Sequence, residues 1–201
     1  MIATCGNTHL DRVLFSHPQT ILIYGAEGSG KTNFVLSTLA LSKSAKGIYI
    51  STEGSNYVER AYQLSLLNED RLLFAEAFDC PHLLALLASI PAIGRVDILA
   101  IDSINYHYRS EATNVESLRV YATILTLLKE YASQGTIVIA TAQVREVEEL
   151  EPAGMQFLYP WADVVIRIER RESLGLRNLV VEKPCRLQAS FRIVDSGIEW
   201  L

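Results

Sequence analysis

The sequence predicts an α/β protein built on a mostly parallel, doubly wound sheet that an antiparallel meander extends at its C-terminal end. Short apolar runs alternate with helical stretches over residues 20–143, as parallel strands joined by crossover helices do. One of those runs, DILAID (97–102), is nearly all apolar rather than alternating, the mark of a strand covered on both faces. Beyond residue 160 the character changes, and ADVVIRIER, LRNLVVEK and ASFRIVD follow one another as a meander closing one sheet edge.

The elements follow in order. TILIY (20–24) is a short apolar strand, and GAEGSGKT (25–32) succeeds it directly. NFVLSTLALSKS (33–44) is helical in composition, and GIYIST (47–52) is a second strand. Asn56 with Glu59 three residues on has the form of a capping box for the next helix. LLFAEAF (72–78) is a third strand, after which Asp79 opens a leucine-rich helix. DILAID is the fourth strand. Thr113 with Glu116 forms a second capping box, with Val115, Leu118, Ala122 and Leu125 on one helical face and Gly135 as the stop. TIVIATAQ (136–143) is the fifth strand. With no repeat, low-complexity tract or Pro/Gly-rich linker, residues 1–201 are expected to form one domain.

Composition narrows the class. Apolar residues make up 49% and charged residues 20%, a soluble globular balance. No apolar run approaches the ~18 residues of a membrane span, and MIATCGNTHLDR lacks the order of a secretory signal. Cys5, Cys80 and Cys185 are widely spaced and form no CxxC, so a reducing, cytoplasmic setting with buried thiols is expected rather than a disulfide frame or a zinc site. The net charge of −5 argues against a broad nucleic-acid coat. Between Arg167 and Arg192, however, seven basic residues face three acidic ones, so the segment carries +4 and the remainder −9. It reads equally as solvated strand faces or as a basic partner surface.

The chemistry begins at Gly25–Thr32. The pattern G-x-x-x-x-G-K-[ST] between a strand and a helix is a phosphate loop. Gly25, Ala26, Glu27, Gly28, Ser29 and Gly30 supply backbone N–H groups that close on phosphates, and the helix N-terminus adds positive dipole. Lys31 is expected on the β- and γ-phosphates and Thr32 on Mg²⁺. ATP is expected rather than GTP because no N-K-x-D guanine signature is present. Asp102, ending the fourth strand, is placed to hold the magnesium through water. Glu53, ending the second strand, is a candidate base for the attacking water, with an exposed turn acid as the plain alternative. Gln143, ending the fifth, can sense the γ-phosphate or be a satisfied polar strand end.

The succession GAEGSGKT, YISTEG, AEAFDCPH, ILAIDS, VIATAQV and FRIVDSGIEWL resembles the ATPase core of the RecA/RadA recombinase superfamily, and most of all archaeal RadB-type RadA paralogues. The resemblance runs from about Thr4 to Leu201 and implies a RecA-like P-loop NTPase. It implies Lys31, Glu53 and Gln143 as catalytic residues, Thr32 and Asp102 on the metal side, and Arg60 stacked on adenine, where a solvated first-turn arginine is the alternative. Only 19 residues precede the first strand, so the family's N-terminal helical DNA-binding domain and polymerisation segment are not expected. The first DNA loop of the family maps to Asn105–Glu116, with Arg109 its one basic residue, and the second to VREVEELE (144–151), which is acidic and repels a phosphate backbone. EKPCRLQASF is shorter than the family's cap over a neighbour's nucleotide, which argues against ATP-gated filaments.

The expected function is therefore that of an ATP-binding paralogue with slow Mg²⁺-dependent hydrolysis, modulating homologous recombination and DNA repair. Its expected partners are the main RadA-type recombinase and DNA, probed weakly and electrostatically as single strands. Two alternatives stay open: a stand-alone single-stranded-DNA-dependent ATPase, and a nucleotide-gated adaptor with vestigial chemistry.

Overall fold

The computed structural model describes residues 2–111, 114–144, 152–171 and 175–201. Its elements are α1 (Thr8–Leu14), β1 (Thr20–Ala26), α2 (Lys31–Leu41) and β2 (Gly47–Ser51), then a 3-10 turn at Gly54–Tyr57 that runs into α3 (Val58–Gln63). β3 (Leu72–Glu76), α4 (Cys80–Ile93), β4 (Ile98–Asp102), α5 (Tyr108–Glu111), α6 (Val115–Ser133) and β5 (Ile137–Val144) follow. The chain ends with α7 (Met155–Trp161), β6 (Val164–Arg170), β7 (Leu176–Lys183), β8 (Leu187–Val194) and β9 (Gly197–Trp200). One nine-stranded sheet takes the order β3-β2-β4-β5-β1-β6-β7-β8-β9.

Successive side chains of a strand point to opposite faces, and the central strands use both. Ile21 and Ile23 of β1 enter one core, while Leu22 and Tyr24 enter the other. Ile98 and Ala100 part from Leu99 and Ile101 in the same way, as do Ile137 and Ile139 from Val138 and Ala140. This is why the strand runs are apolar without alternation. The first core takes Leu10, Leu14, Phe34, Leu36, Leu39 and Ala61 from α1–α3, and the second takes Leu83, Leu87, Tyr121, Ile124, Leu128 and Leu158 from α4, α6 and α7.

The expected sheet is present, with differences that have local causes. β6 is parallel to β1, so ADVVIRIER is the sixth parallel strand and the antiparallel meander begins at β7. The tight hairpin to β9, which pairs with β8 over Phe191–Val194, adds a strand that was not anticipated. α6 buries only part of the predicted face: Leu125 is buried and Leu118 packs against the core. Val115 is 65% exposed and Ala122 is exposed, whereas Tyr121, Ile124, Leu125, Leu128 and Ala132 are buried. The large buried Tyr121 turns the stripe by about one residue round the helix from the face the small apolar residues suggested. The N-cap of α6 is Asn114, whose side chain accepts from the Glu116 backbone N–H at 2.9 Å; Thr113 lies outside the described residues. Asn56 lies inside the 3-10 turn and donates to the Glu53 carbonyl at 3.3 Å, so it does not cap α3. Asp79 does cap α4, accepting from His82 N–H at 2.6 Å. Cys5 and Cys80 are buried as expected, but Cys185 is exposed. No helix among the described residues is long and apolar enough to cross a membrane.

α2, which carries the phosphate loop, is held at both ends. Arg71 donates to the carbonyls of Leu39, Ser42 and Ala45 at 3.0–3.1 Å, meeting the carbonyls that a helix C-terminus leaves unpaired. On its side the Phe34 ring meets Phe191 of β8 and Trp200 of β9, with centroids 6.5 and 6.3 Å away. The Trp200 indole N–H donates to the Cys5 carbonyl at 2.8 Å, tying both chain ends to the helix. Phe191 is fully buried at the centre of this cluster. Phe191→Ala is expected to cost ~3–5 kcal/mol of stability, read as a lower urea midpoint at an unchanged slope.

Candidate functional site: a phosphate loop and a polar rim

Parallel strands deliver their C-terminal ends to one edge of the sheet, where ligands of open α/β sheets bind. β1, β2, β4 and β5 bring to that edge the phosphate loop, Glu53, Asp102 and Gln143. The register places Ser51 opposite Asp102 and Gly25 opposite Gln143. The four predicted positions thus meet at one rim, although up to 118 residues separate them in the chain.

The loop needs its glycines. A Cβ on Gly25 would run into the Ile168 carbonyl oxygen, so the neighbouring strand β6 leaves no room for a side chain at the first loop residue. Gly30 caps α2 in a left-handed conformation, φ 106°, where a β-carbon is strained. Lys31 is 6% exposed, and its Nζ donates to the Gly25 and Ala26 carbonyls, both at 2.9 Å. Burial pulls its pKa down, while Asp102, Glu53 and Glu27 act to raise it. Ser29 Oγ is buried without a partner among the described residues. Such an orphaned oxygen asks for a ligand atom, and together with the glycine cradle and a buried ammonium it fits a phosphate group.

Asp102 is 6% exposed and accepts three hydroxyls. Thr32 Oγ1 and the Tyr49 hydroxyl each donate to Oδ2 at 2.6 Å, and Thr141 donates to Oδ1. Thr32 and Asp102 present hard oxygen donors side by side, the set magnesium takes, which fits the assignment of both residues to the metal side.

Beside this cluster runs a second chain of bonds. Ser103 Oγ donates to Glu53 Oε1, and Gln143 Nε2 donates to Glu53 Oε2, both at 2.6 Å. Thr52 fixes the backbone beneath, its hydroxyl donating to the Ser103 carbonyl at 2.7 Å and accepting from Ser103 N–H at 2.9 Å. Asn105 brackets Gln143, accepting from its N–H and donating to its carbonyl, each at 3.1 Å. The Arg109 guanidinium stands 3.5 Å from Gln143 Oε1 and 5.7 Å from the Tyr106 ring centroid.

Arg60 takes a different place. Its guanidinium donates to the carbonyls of Val194 at 2.6 Å and Gly197 at 2.8 Å, and to Gln63 Oε1 at 2.9 Å. These contacts clamp α3 to the β8–β9 turn, so the structure does not gather Arg60 with the rim residues. Sequence reading missed Tyr49, Thr141, Ser103, Asn105 and Arg177. The first four are polar residues at or near strand ends that only pairing brings to Asp102, Glu53 and Gln143. Most of the acidic 144–151 loop lies outside the described residues.

A phosphate loop, an acid on each of two strands and an amide on a third share one rim of a mainly parallel sheet with an antiparallel extension. That division of labour is RecA-like and places the chain in the RecA/RadA superfamily. No family model matches the chain. It is 33% identical to the DNA repair and recombination protein RadB of Methanococcus maripaludis (strain C5) over 194 residues, covering 88% of this chain and 89% of the relative. Against the RadB of Methanocaldococcus jannaschii the identity is 30%, with 88% and 91% covered. The solved crystal structure of the RadB recombinase superposes with a TM-score of 0.81 at 26% identity over the full length of both chains. The chain belongs to the RadB family.

The close approach of β6 to Gly25 has a direct consequence. Gly25→Ala is expected to push β6 and the loop apart, because the obstacle is backbone rather than a movable side chain. The measurement is thermal unfolding beside Gly28→Ala, whose Cβ meets nothing within 4 Å; Gly25→Ala should lower Tm by clearly more.

Proposed function

We propose that the chain binds Mg·ATP in the phosphate loop and hydrolyses it slowly, and that it serves homologous recombination and DNA repair as a paralogue modulating a RadA-type recombinase. The observation that carries this reading is the 2.6 Å bond from Gln143 to Glu53, set beside the Thr32–Asp102 pair. A base and a γ-phosphate sensor joined directly give the site a way to register which nucleotide is present. Lys31 and the loop amides would hold the phosphates, and Thr32 and Asp102 the magnesium. The metal, when bound, supplies charge neutralisation for the phosphates. Glu53 takes the proton of the attacking water, and Ser103 and Gln143 orient its carboxylate. The names of the RadB relatives support the repair and recombination role.

One observation favours the adaptor alternative. Both carboxylate oxygens of Glu53 already accept a hydrogen bond, so an attacking water has to compete with Ser103 and Gln143 for them. A single pair of variants separates the two readings. Lys31→Ala should lose ATP affinity in a folded protein. Glu53→Gln should keep binding and lower turnover ~10²–10⁴-fold, measured as phosphate release with and without single-stranded DNA. Wild-type-like turnover in Glu53→Gln means that the water is activated elsewhere. No turnover in the wild type, with tight binding kept, favours the adaptor. Strong stimulation by single-stranded DNA alone favours the stand-alone ATPase.

The DNA surface is proposed on the C-terminal strands. Arg167 is paired with Glu169 and Glu182, and Lys183 donates to the Ala162 carbonyl, whereas Arg170, Arg171, Arg186 and Arg192 are exposed. With about three phosphates neutralised, log K against log[salt] for a single strand should slope near −2, at ~0.7 per contact. Arg170→Glu with Arg171→Glu should weaken binding and flatten that slope in fluorescence anisotropy. Unchanged affinity moves the DNA surface off these strands.

A further inference from the structure

Arg177 was counted among the basic residues of the C-terminal strands, but its side chain leaves that surface. It extends from β7 over the phosphate loop. Nη2 stands 3.4 Å from the Gly28 carbonyl oxygen, and Cγ and Nε lie 3.7 Å from the point a β-carbon on Gly30 would occupy. Nη1 donates to the carbonyls of Gly175 and Leu176 at 3.0 and 3.2 Å. Nε is buried and has no acceptor among the described residues.

Two features set this arginine apart from an ordinary strand cation. No carboxylate pairs with it among the described residues, whereas Arg167 of β6 has two. Its ladder partner is Arg170, a second cation without an ion pair among the described residues. Two like charges brought together cost free energy unless an anion joins them. Burial and Arg170 both hold the Arg177 pKa down, yet a guanidinium keeps its proton. The contact to Gly28 is long for an N–H···O bond, so a phosphate oxygen, which binds a guanidinium about twice as strongly as a neutral acceptor does, would displace it readily. The unpartnered Nε lies beside Gly30 and the unpartnered Ser29 Oγ faces Gly25, so both belong to the one loop.

We propose that Arg177 is a second cation for the polyphosphate of the bound nucleotide, supplied by the same chain from its C-terminal hairpin and acting opposite Lys31. This rests on the phosphate-loop reading above. It also takes Arg177 out of the DNA surface and makes the β6–β7 hairpin a part that nucleotide binding pulls on.

The test is equilibrium binding of a fluorescent ATP analogue with Mg²⁺, together with its displacement by inorganic tripolyphosphate. Wild type is compared with Lys31→Ala, Arg177→Ala, Arg177→Gln and, as a control, the ion-paired Arg167→Ala. Loss of hydrogen bonds to a charged group predicts affinity about 10- to 100-fold weaker in both Arg177 variants. The loss should be similar for the analogue and for tripolyphosphate, with Arg167→Ala near wild type. Arg177→Gln keeps the stem as far as Cδ and a polar amide but removes the guanidinium and its charge, so a folding defect in the alanine variant leaves the test intact. In wild type, nucleotide should slow amide exchange across residues 176–183, and in Arg177→Gln it should not. If Lys31→Ala loses binding but both Arg177 variants stay within twofold of wild type, the inference is overturned and the phosphate loop stands. A loss confined to the nucleotide, with tripolyphosphate unaffected, also overturns it, because the contact is then to base or sugar. If wild type itself binds neither probe, the phosphate-loop reading falls and this inference with it.

Discussion

The charge of Asp102 is the constraint around which the rim is arranged. A carboxylate withdrawn from water costs several kcal/mol unless other groups replace its hydration. Here three hydroxyls do so, from α2, β2 and β5. Each donor comes from a different element, so the bonds fix the phosphate helix, the second strand and the fifth strand to the end of the fourth. Lys31 depends on the same charge, since its ammonium is buried and Asp102 is the foremost influence opposing the loss of its proton.

A second layer of bonds turns this static cluster toward a response. Glu53 is held by Ser103 and by Gln143, and Gln143 is held in turn by Asn105 and approached by Arg109. Gln143 opens the connection that leaves β5, and Arg109 belongs to the short helix after β4. The C-terminal strands close the other side. Ile168 presents its carbonyl to Gly25, Ile193 packs 3.3 Å from the Cβ position of Gly30, and Arg177 lies above Gly28. The meander is thus the wall of the phosphate loop as well as an edge of the sheet, and its basic residues divide between the loop and the solvent.

How far the fold could be read in advance varied along the chain. The parallel strands were legible because each is an apolar run bounded by turn residues, and burial on both faces leaves no other use for such runs. β6 was misplaced because pairing direction leaves no trace in a strand's own residues; it follows from the crossover through α7, whose composition is short and broken by Pro160. The face of α6 was displaced because small apolar residues tolerate either environment, whereas the buried Tyr121 is stacked on Tyr108 at 4.2 Å, a contact between separate helices. Asn56 has capping-box spacing, but the turn after Glu53 tightens into a 3-10 helix and removes the geometry a cap requires.

The sequence by itself determined the parts of the site that local chemistry dictates. GAEGSGKT between a strand and a helix is a phosphate loop because glycine freedom, a lysine and a hydroxyl at those spacings serve one purpose, and Glu53, Asp102 and Gln143 were identified by standing at strand ends. Only the tertiary structure decided what those residues touch. Tyr49 and Thr141 reach Asp102 through the register of neighbouring strands, Arg60 is drawn to the carbonyls of a turn some 135 residues away, and Arg177 reaches the loop because β6 carries its partner strand alongside β1. A motif is a short-range pattern and survives in one dimension. A hydrogen-bond partner across a sheet is set by strand order and register, which arise when both faces of the sheet are buried together.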